Sequence, residues 1–149
     1  MYSLSRKAED YLEAILNVIL EKGYARTKDV AGVLEVSPSS VVEMFRKLDA
    51  MHLVEYRKYE GVTLTDKGRA VAEVIKFRHD TLKRLFLLLG VPDSVADEDA
   101  CLMEHELSEE SIRQIRLFVD FLDSGGVSVD IGKAFAEFCR AGPDKKNVK

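Results

Sequence analysis

The chain has 149 residues, 46% of them apolar and 32% charged, with a formal net charge of −4. That balance describes a folded globular protein of one ordinary domain, or two small ones, and excludes a disordered chain. No apolar run approaches the roughly 18 residues needed to span a bilayer, and acids interrupt the first apolar stretch, so neither a membrane span nor a signal peptide is expected.

Residues 5–21 place Ala8, Tyr11, Leu12, Ile15, Leu16, Ile19 and Leu20 on one 3.6-residue stripe, which predicts an amphipathic helix ended by Gly23. Thr27 is expected to cap a short helix over 28–34. Ser37-Pro38 offers an N-cap followed by proline at the first helical position, and opens a third helix reaching about Met51. The connection of about three residues between helices two and three is that of a helix-turn-helix. Two β-prone segments follow, Leu53-Val54-Glu55-Tyr56 and Val62-Thr63-Leu64, joined by a turn that contains Gly61. They read as a small hairpin, a wing. Thr65 caps a long fourth helix over 66–89, broken by Gly90 and Pro92. A fifth helix is expected over 93–106. A sixth, capped by Ser108, runs to Leu122, and a last one covers 128–141, followed by a frayed tail over 143–149.

The expected fold is mainly α. It has an N-terminal winged helix-turn-helix with a small β-hairpin wing over 1–75, and a C-terminal all-α dimerisation and metal-binding domain over 76–142. Met103, Leu107, Ile112, Ile115, Phe118, Val119 and Leu122 present more apolar surface than so small a bundle buries alone, which suggests a homodimer.

Charge is unevenly spread. Residues 1–80 carry 13 basic and 13 acidic side chains, whereas 81–149 carry 9 and 13. The first half can therefore face phosphate, and the second suits cations. A recognition helix presents short polar and basic groups near its N-terminus. Here those are Ser37, Ser39, Ser40, Glu43, Arg46 and Lys47. Serines can bond phosphates or bases, and Glu43 can accept from a cytosine amino group. Arg46 and Lys47 suit backbone phosphates, as do Arg57, Lys58 and Tyr59 at the wing tip.

Cys101, Glu104 and His105 stand at i, i+3 and i+4, so on a helix they share a face. Asp10 and Glu13 form a second pair, and His79 lies between the two groups in sequence. Carboxylates suit hard ions such as manganese, and thiolate favours ferrous iron, cobalt or zinc. Asp97, one turn before Cys101, is a candidate outer ligand. Cys139 reads as a small buried apolar residue. Two cysteines without an implied disulfide point to a reduced cytoplasm.

Several motifs keep their order and spacing over residues 5–122. They are Asp10-Tyr-Leu-Glu13, Glu21-Lys-Gly-Tyr-Ala-Arg26, Ser37-Pro-Ser-Ser40, Leu64-Thr-Asp-Lys-Gly68, Arg78-His79 and Glu104-His105-Glu-Leu-Ser108. With them the chain resembles the diphtheria-toxin-repressor family, and within it the short manganese-transport-regulator branch. The resemblance implies a homodimeric winged-helix repressor that binds a pseudo-palindromic double-stranded DNA operator when loaded with manganese or ferrous iron, and silences metal-uptake genes. It carries the ligand role to Asp10, Glu13, His79, Glu104 and His105.

Cys101 is a departure, since the manganese branch has glutamate there and the iron branch cysteine. Conversely, the iron branch has methionine where this chain has Asp10. The site is therefore a hybrid, with manganese(II) placed ahead of iron(II), and it lacks the carboxylate that bridges two ions in the manganese branch. The iron branch's accessory site is matched only at His79, because Lys83 and Asp97 stand where an acid and a histidine are expected. Two rival readings are a metal-independent winged-helix regulator and a metal hydrolase. Against an enzyme, the sequence has no Gly-rich phosphate loop, nucleophile elbow or HExxH motif.

Overall fold

The computed structural model describes residues 4–142, so the expected tail over 143–149 lies outside the described residues. The chain divides into two compact units, Met1–Lys76 and Phe77–Lys149. Among the described residues are seven helices and one two-stranded antiparallel sheet. None of these helices is long and apolar enough to cross a membrane.

The first unit opens with α1 (Arg6–Lys22), whose Ser5 side chain accepts from Ala8 N. Gly23 ends it in the left-handed region at φ 80°, donating its N–H to Ile19 O. The stripe read from the sequence faces inward: Tyr11, Leu12, Ile15 and Leu16 are all buried. α2 (Thr27–Leu34) differs at its start from expectation. Thr27 is already helical, and the Asp29 carboxylate accepts from Arg26 N at 3.3 Å instead. Asp29 also meets Lys22 Nζ at 2.8 Å, and that ammonium holds its carboxyl below the usual carboxylate range.

After a three-residue turn, α3 (Pro38–Ala50) begins with Ser37 accepting from Ser40 N and Pro38 at the first helical position. Val41, Phe45 and Leu48 bury its inner face. The wing is β1 (Val54–Arg57) paired with β2 (Gly61–Leu64) in the register Val54↔Leu64 to Arg57↔Gly61. The Phe45 and Tyr56 rings meet at 5.7 Å and tie the wing to α3. Two glycines are required by close approach. A Cβ on Gly61 would lie 2.2 Å from Ala25 O, and one on Gly68 would lie 1.7 Å from Leu53 O.

α4 (Asp66–Leu88) starts with Gly68 N donating to Thr65 Oγ1 and runs on into the second unit. There follow α5 (Asp93–Met103), α6 (Glu109–Asp123) and α7 (Ile131–Ala141). A small core gathers Leu82, Ala100 and Ile112, with Phe86, Leu107 and Ile115 packed around them.

Three expectations are corrected in this unit. α5 stops at Met103, so Glu104 is its C-cap and His105 lies in the turn beyond. Ile112 and Val119 are buried within the chain, whereas Leu117, Phe118 and Phe121 on α6 stay exposed. The exposed apolar face of α6 is therefore the one around Leu117 to Phe121. α7 buries none of its residues, and Cys139 on it is exposed rather than buried.

Candidate metal centre and nucleic-acid interface

In the second unit, α4 supplies His79, α5 supplies Asp97 and Cys101, and the end of α5 supplies Glu104 and then His105. His79 Nδ1 lies 2.8 Å from Glu104 Oε2. His105 Nε2 lies 3.2 Å from Glu104 Oε1, outside hydrogen-bond geometry, so that oxygen has no hydrogen-bond partner. The Glu104 side chain is 0% exposed. A carboxylate withdrawn from water costs several kcal/mol unless its lone pairs are met. A bare, buried oxygen beside two imidazoles is a donor set suited to a divalent cation. Arg78 Nη1 donates to the Glu104 carbonyl at 3.4 Å, which pins the turn carrying these groups.

Cys101 is half-buried, one turn before Glu104 on the same helix, as the i, i+3 spacing predicts. Because Glu104 keeps a right-handed helical backbone (φ −58°, ψ −26°), that spacing survives the end of α5. Asp97 meets the opposite side of the His79 ring, its Oδ1 standing 3.0 Å from Nε2. The same Oδ1 accepts from Lys83 Nζ at 3.0 Å. The Lys83 ammonium, followed by the His79 contact, holds the Asp97 carboxyl below the usual range. Lys83 also reaches Asp93 at 3.5 Å. Nothing local in the sequence joins residues 79, 83 and 97, so the Lys83 contact is legible only in the folded chain.

The remaining two candidate ligands are in the first unit. Asp10 and Glu13 stand on successive turns of α1. Glu13 is 8% exposed, a deeply placed acid on an otherwise apolar helix face.

The candidate DNA-contacting residues also lie in the first unit. Ser39, Glu43, Arg46 and Lys47 are exposed on α3, and Ser40 is half-buried. Ser37 is committed to the cap, and its hydroxyl also meets those of Ser39 at 3.1 Å and Ser40 at 2.9 Å. Glu43 and Lys47 pair at 3.3 Å across one helical turn. At the wing tip Arg57 stands 3.8 Å from Glu60, and the Lys58 ammonium lies 5.0 Å from the Tyr59 ring centre. Arg26 and Lys28 add two exposed cations at the start of α2 that the sequence analysis does not single out. Their signal is a basic pair at the N-terminus of the first helix of the helix-turn-helix.

Fold and site together define a winged helix-turn-helix protein with a helical, cation-suited second unit. The profile of the iron dependent repressor N-terminal DNA binding domain matches residues 3–62, and that of the iron dependent repressor metal binding and dimerisation domain matches residues 65–125. The chain belongs to the iron-dependent repressor family.

Among solved structures it is similar to a manganese-dependent transcriptional repressor in complex with manganese. The identity is 32% and the TM-score 0.68, over 76% of this chain and 53% of the other. It is similar also to IdeR of T. acidophilum, with 29% identity and a TM-score of 0.67 over 85% of this chain and 56% of that one. A hypothetical protein from Sulfolobus solfataricus matches at 25% identity and TM-score 0.56, over 78% of this chain and 89% of its own length. The chain thus spans just over half the length of the two named regulators.

Proposed function

We propose that this protein is a metal-activated DNA-binding repressor of metal-uptake and metal-homeostasis genes, acting as a homodimer in the cytoplasm. Residues 1–75 read DNA, and residues 76–142 bind metal and dimerise. The reading is regulatory, with no catalytic step assigned. The observation that carries it is the buried Glu104 carboxylate with its unsatisfied Oε1 beside His79 and His105. It stands in a chain whose two family profiles describe DNA binding and then metal binding with dimerisation.

The proposed ligands are Asp10 and Glu13 from α1 together with His79, Cys101, Glu104 and His105. A bound dication supplies charge that offsets the carboxylates. Without that charge, the acids at 10, 13 and 104 repel one another, and α1 is held loosely. With it, α1 is drawn toward the groups at 79 and 101–105. This narrows the spacing between the two recognition helices of a dimer, which must meet two half-sites one or more helical turns apart. Ser39, Ser40 and Glu43 on α3 face base edges and phosphates, with Ser37 holding the helix start and Arg46 on the phosphate backbone. Lys47, Arg57 and Lys58 position the protein on the backbone.

Manganese(II) is placed ahead of iron(II), because Asp10 and Glu13 add hard oxygen donors to Glu104, while Cys101 keeps iron in contention. Coupling is reciprocal, so operator DNA tightens metal binding by the factor by which metal tightens DNA binding.

The test is binding to a library of native promoter fragments under anaerobic conditions. It is run in chelator and then at matched free manganese, ferrous iron and zinc. Binding that appears only with metal is the expected result. Equal binding in chelator would overturn the reading in favour of a metal-independent winged-helix regulator.

A further inference from the structure

The His79 ring is met by a carboxylate at each nitrogen, and the two carboxylates are unlike. On the Nδ1 side is Glu104, fully buried, with one oxygen unsatisfied. On the Nε2 side is Asp97, 54% exposed, whose Oδ1 is shared with the Lys83 ammonium. A neutral imidazole carries one N–H, and only the other nitrogen offers a lone pair. If the proton sits on Nδ1 it satisfies Glu104 and closes that nitrogen to a cation. If it sits on Nε2 it is donated to Asp97, and the Nδ1 lone pair then faces the Glu104 carboxylate, two donors that a cation joins. An Asp97 held where it can accept therefore favours the Nε2–H form. Lys83 holds it there, since the ammonium bonds the same oxygen that faces the ring and is itself steadied by Asp93.

We propose that Asp97, anchored by Lys83, is a positioning residue that takes the Nε2–H of His79 and so presents Nδ1, beside Glu104, to the regulatory cation. The proposal rests on the metal-binding reading above and assigns a task to two residues outside its ligand set. Partners that fix the tautomer of a ligating histidine typically contribute 10- to 100-fold in metal affinity.

A positioning role and a plain charge effect predict different variant patterns. Manganese affinity is measured by competition with a fluorescent chelator. The ring tautomer is read by nitrogen NMR of 15N-histidine-labelled, metal-free protein across a pH series, at the pH where the nitrogen shifts show a neutral ring. Asp97→Ala is expected to weaken manganese binding by about 10- to 100-fold, and to shift the His79 population toward Nδ1–H. Asp97→Asn keeps an acceptor oxygen that Lys83 still orients toward the ring, so it should retain the wild-type tautomer and most of the affinity. Lys83→Met should weaken binding, because Asp97 is released.

A charge effect alone predicts instead that Asp97→Asn equals Asp97→Ala and that Lys83→Met binds more tightly. That pattern would overturn the proposal, as would an unchanged tautomer in Asp97→Ala. Failure of the underlying reading is distinguishable, because the wild-type protein itself would then show no manganese affinity. Both positions are exposed or half-exposed, and circular dichroism of each variant checks that the fold is intact.

Discussion

Glu104 is where the proposed metal site bears on stability. Its carboxyl group is fully buried, yet one oxygen lacks a hydrogen bond, and a polar atom buried in that way costs the fold stability. Glu104→Gln keeps the shape and removes the charge. It is expected to leave the melting temperature in chelator unchanged or raised. Manganese affinity should fall by more than about tenfold, or about 1.4 kcal/mol, and the metal-induced rise in melting temperature should disappear. A large drop in chelator would show that the carboxylate is structural.

Asp29 behaves in the opposite way. Paired with Lys22, its folded-state pKa is depressed below the unfolded value. The stabilisation is therefore fully present above the unfolded pKa, and it is lost as pH falls through the depressed folded value. Acid titration of stability should show a shallower low-pH limb in Asp29→Asn than in wild type. Identical limbs would remove the Lys22 pair from the account of α2. The residue types at both places were legible in the sequence. Burial of Glu104 and pairing of Asp29 with a lysine seven positions away were not, because neither follows from spacing alone.

At the scale of elements, local signals carried most of the reading. Caps and breakers act within four residues, so Ser37, Thr65, Ser108, Gly23 and Gly90 mark helix ends wherever the helices pack. Ser37→Ala removes the acceptor for Ser40 N and should destabilise the first unit by about 1 kcal/mol, seen as a lower urea midpoint. It should also weaken DNA binding by loosening the start of α3. A variant with unchanged stability but weakened DNA binding would make Ser37 a direct DNA contact instead. Two helix ends differ from expectation, for different reasons. α5 does not reach residue 106, because the turn at Glu104–Glu106, held from Arg78 on another helix, ends it early. At the start of α2 the bond comes from Asp29, three residues after Arg26, instead of from Thr27. The first is a tertiary effect, and the second is a local cap made by a different residue.

For the whole molecule, the exposed apolar face of α6 is the feature that bears on assembly. Leu117, Phe118 and Phe121 are each more than half exposed. A homodimer that buries this face should dissociate on Leu117→Glu combined with Phe118→Glu, measured by sedimentation. Operator binding should fall with it, since one recognition helix meets only one half-site. A dimer that survives both changes would move the interface elsewhere, α7 being a helix that buries none of its residues. The sequence by itself determined the helix-turn-helix, the wing, the order of the later helices and the residue types able to hold a cation. Each of these depends on periodicity, capping or spacing along a short stretch of chain. Only the tertiary structure decided which apolar residues of α6 are core and which are surface. It alone brought His79 to Glu104 across 25 positions and set Asp97 with Lys83 behind the ring. Those outcomes depend on how one helix packs against another, and no local pattern encodes that distance.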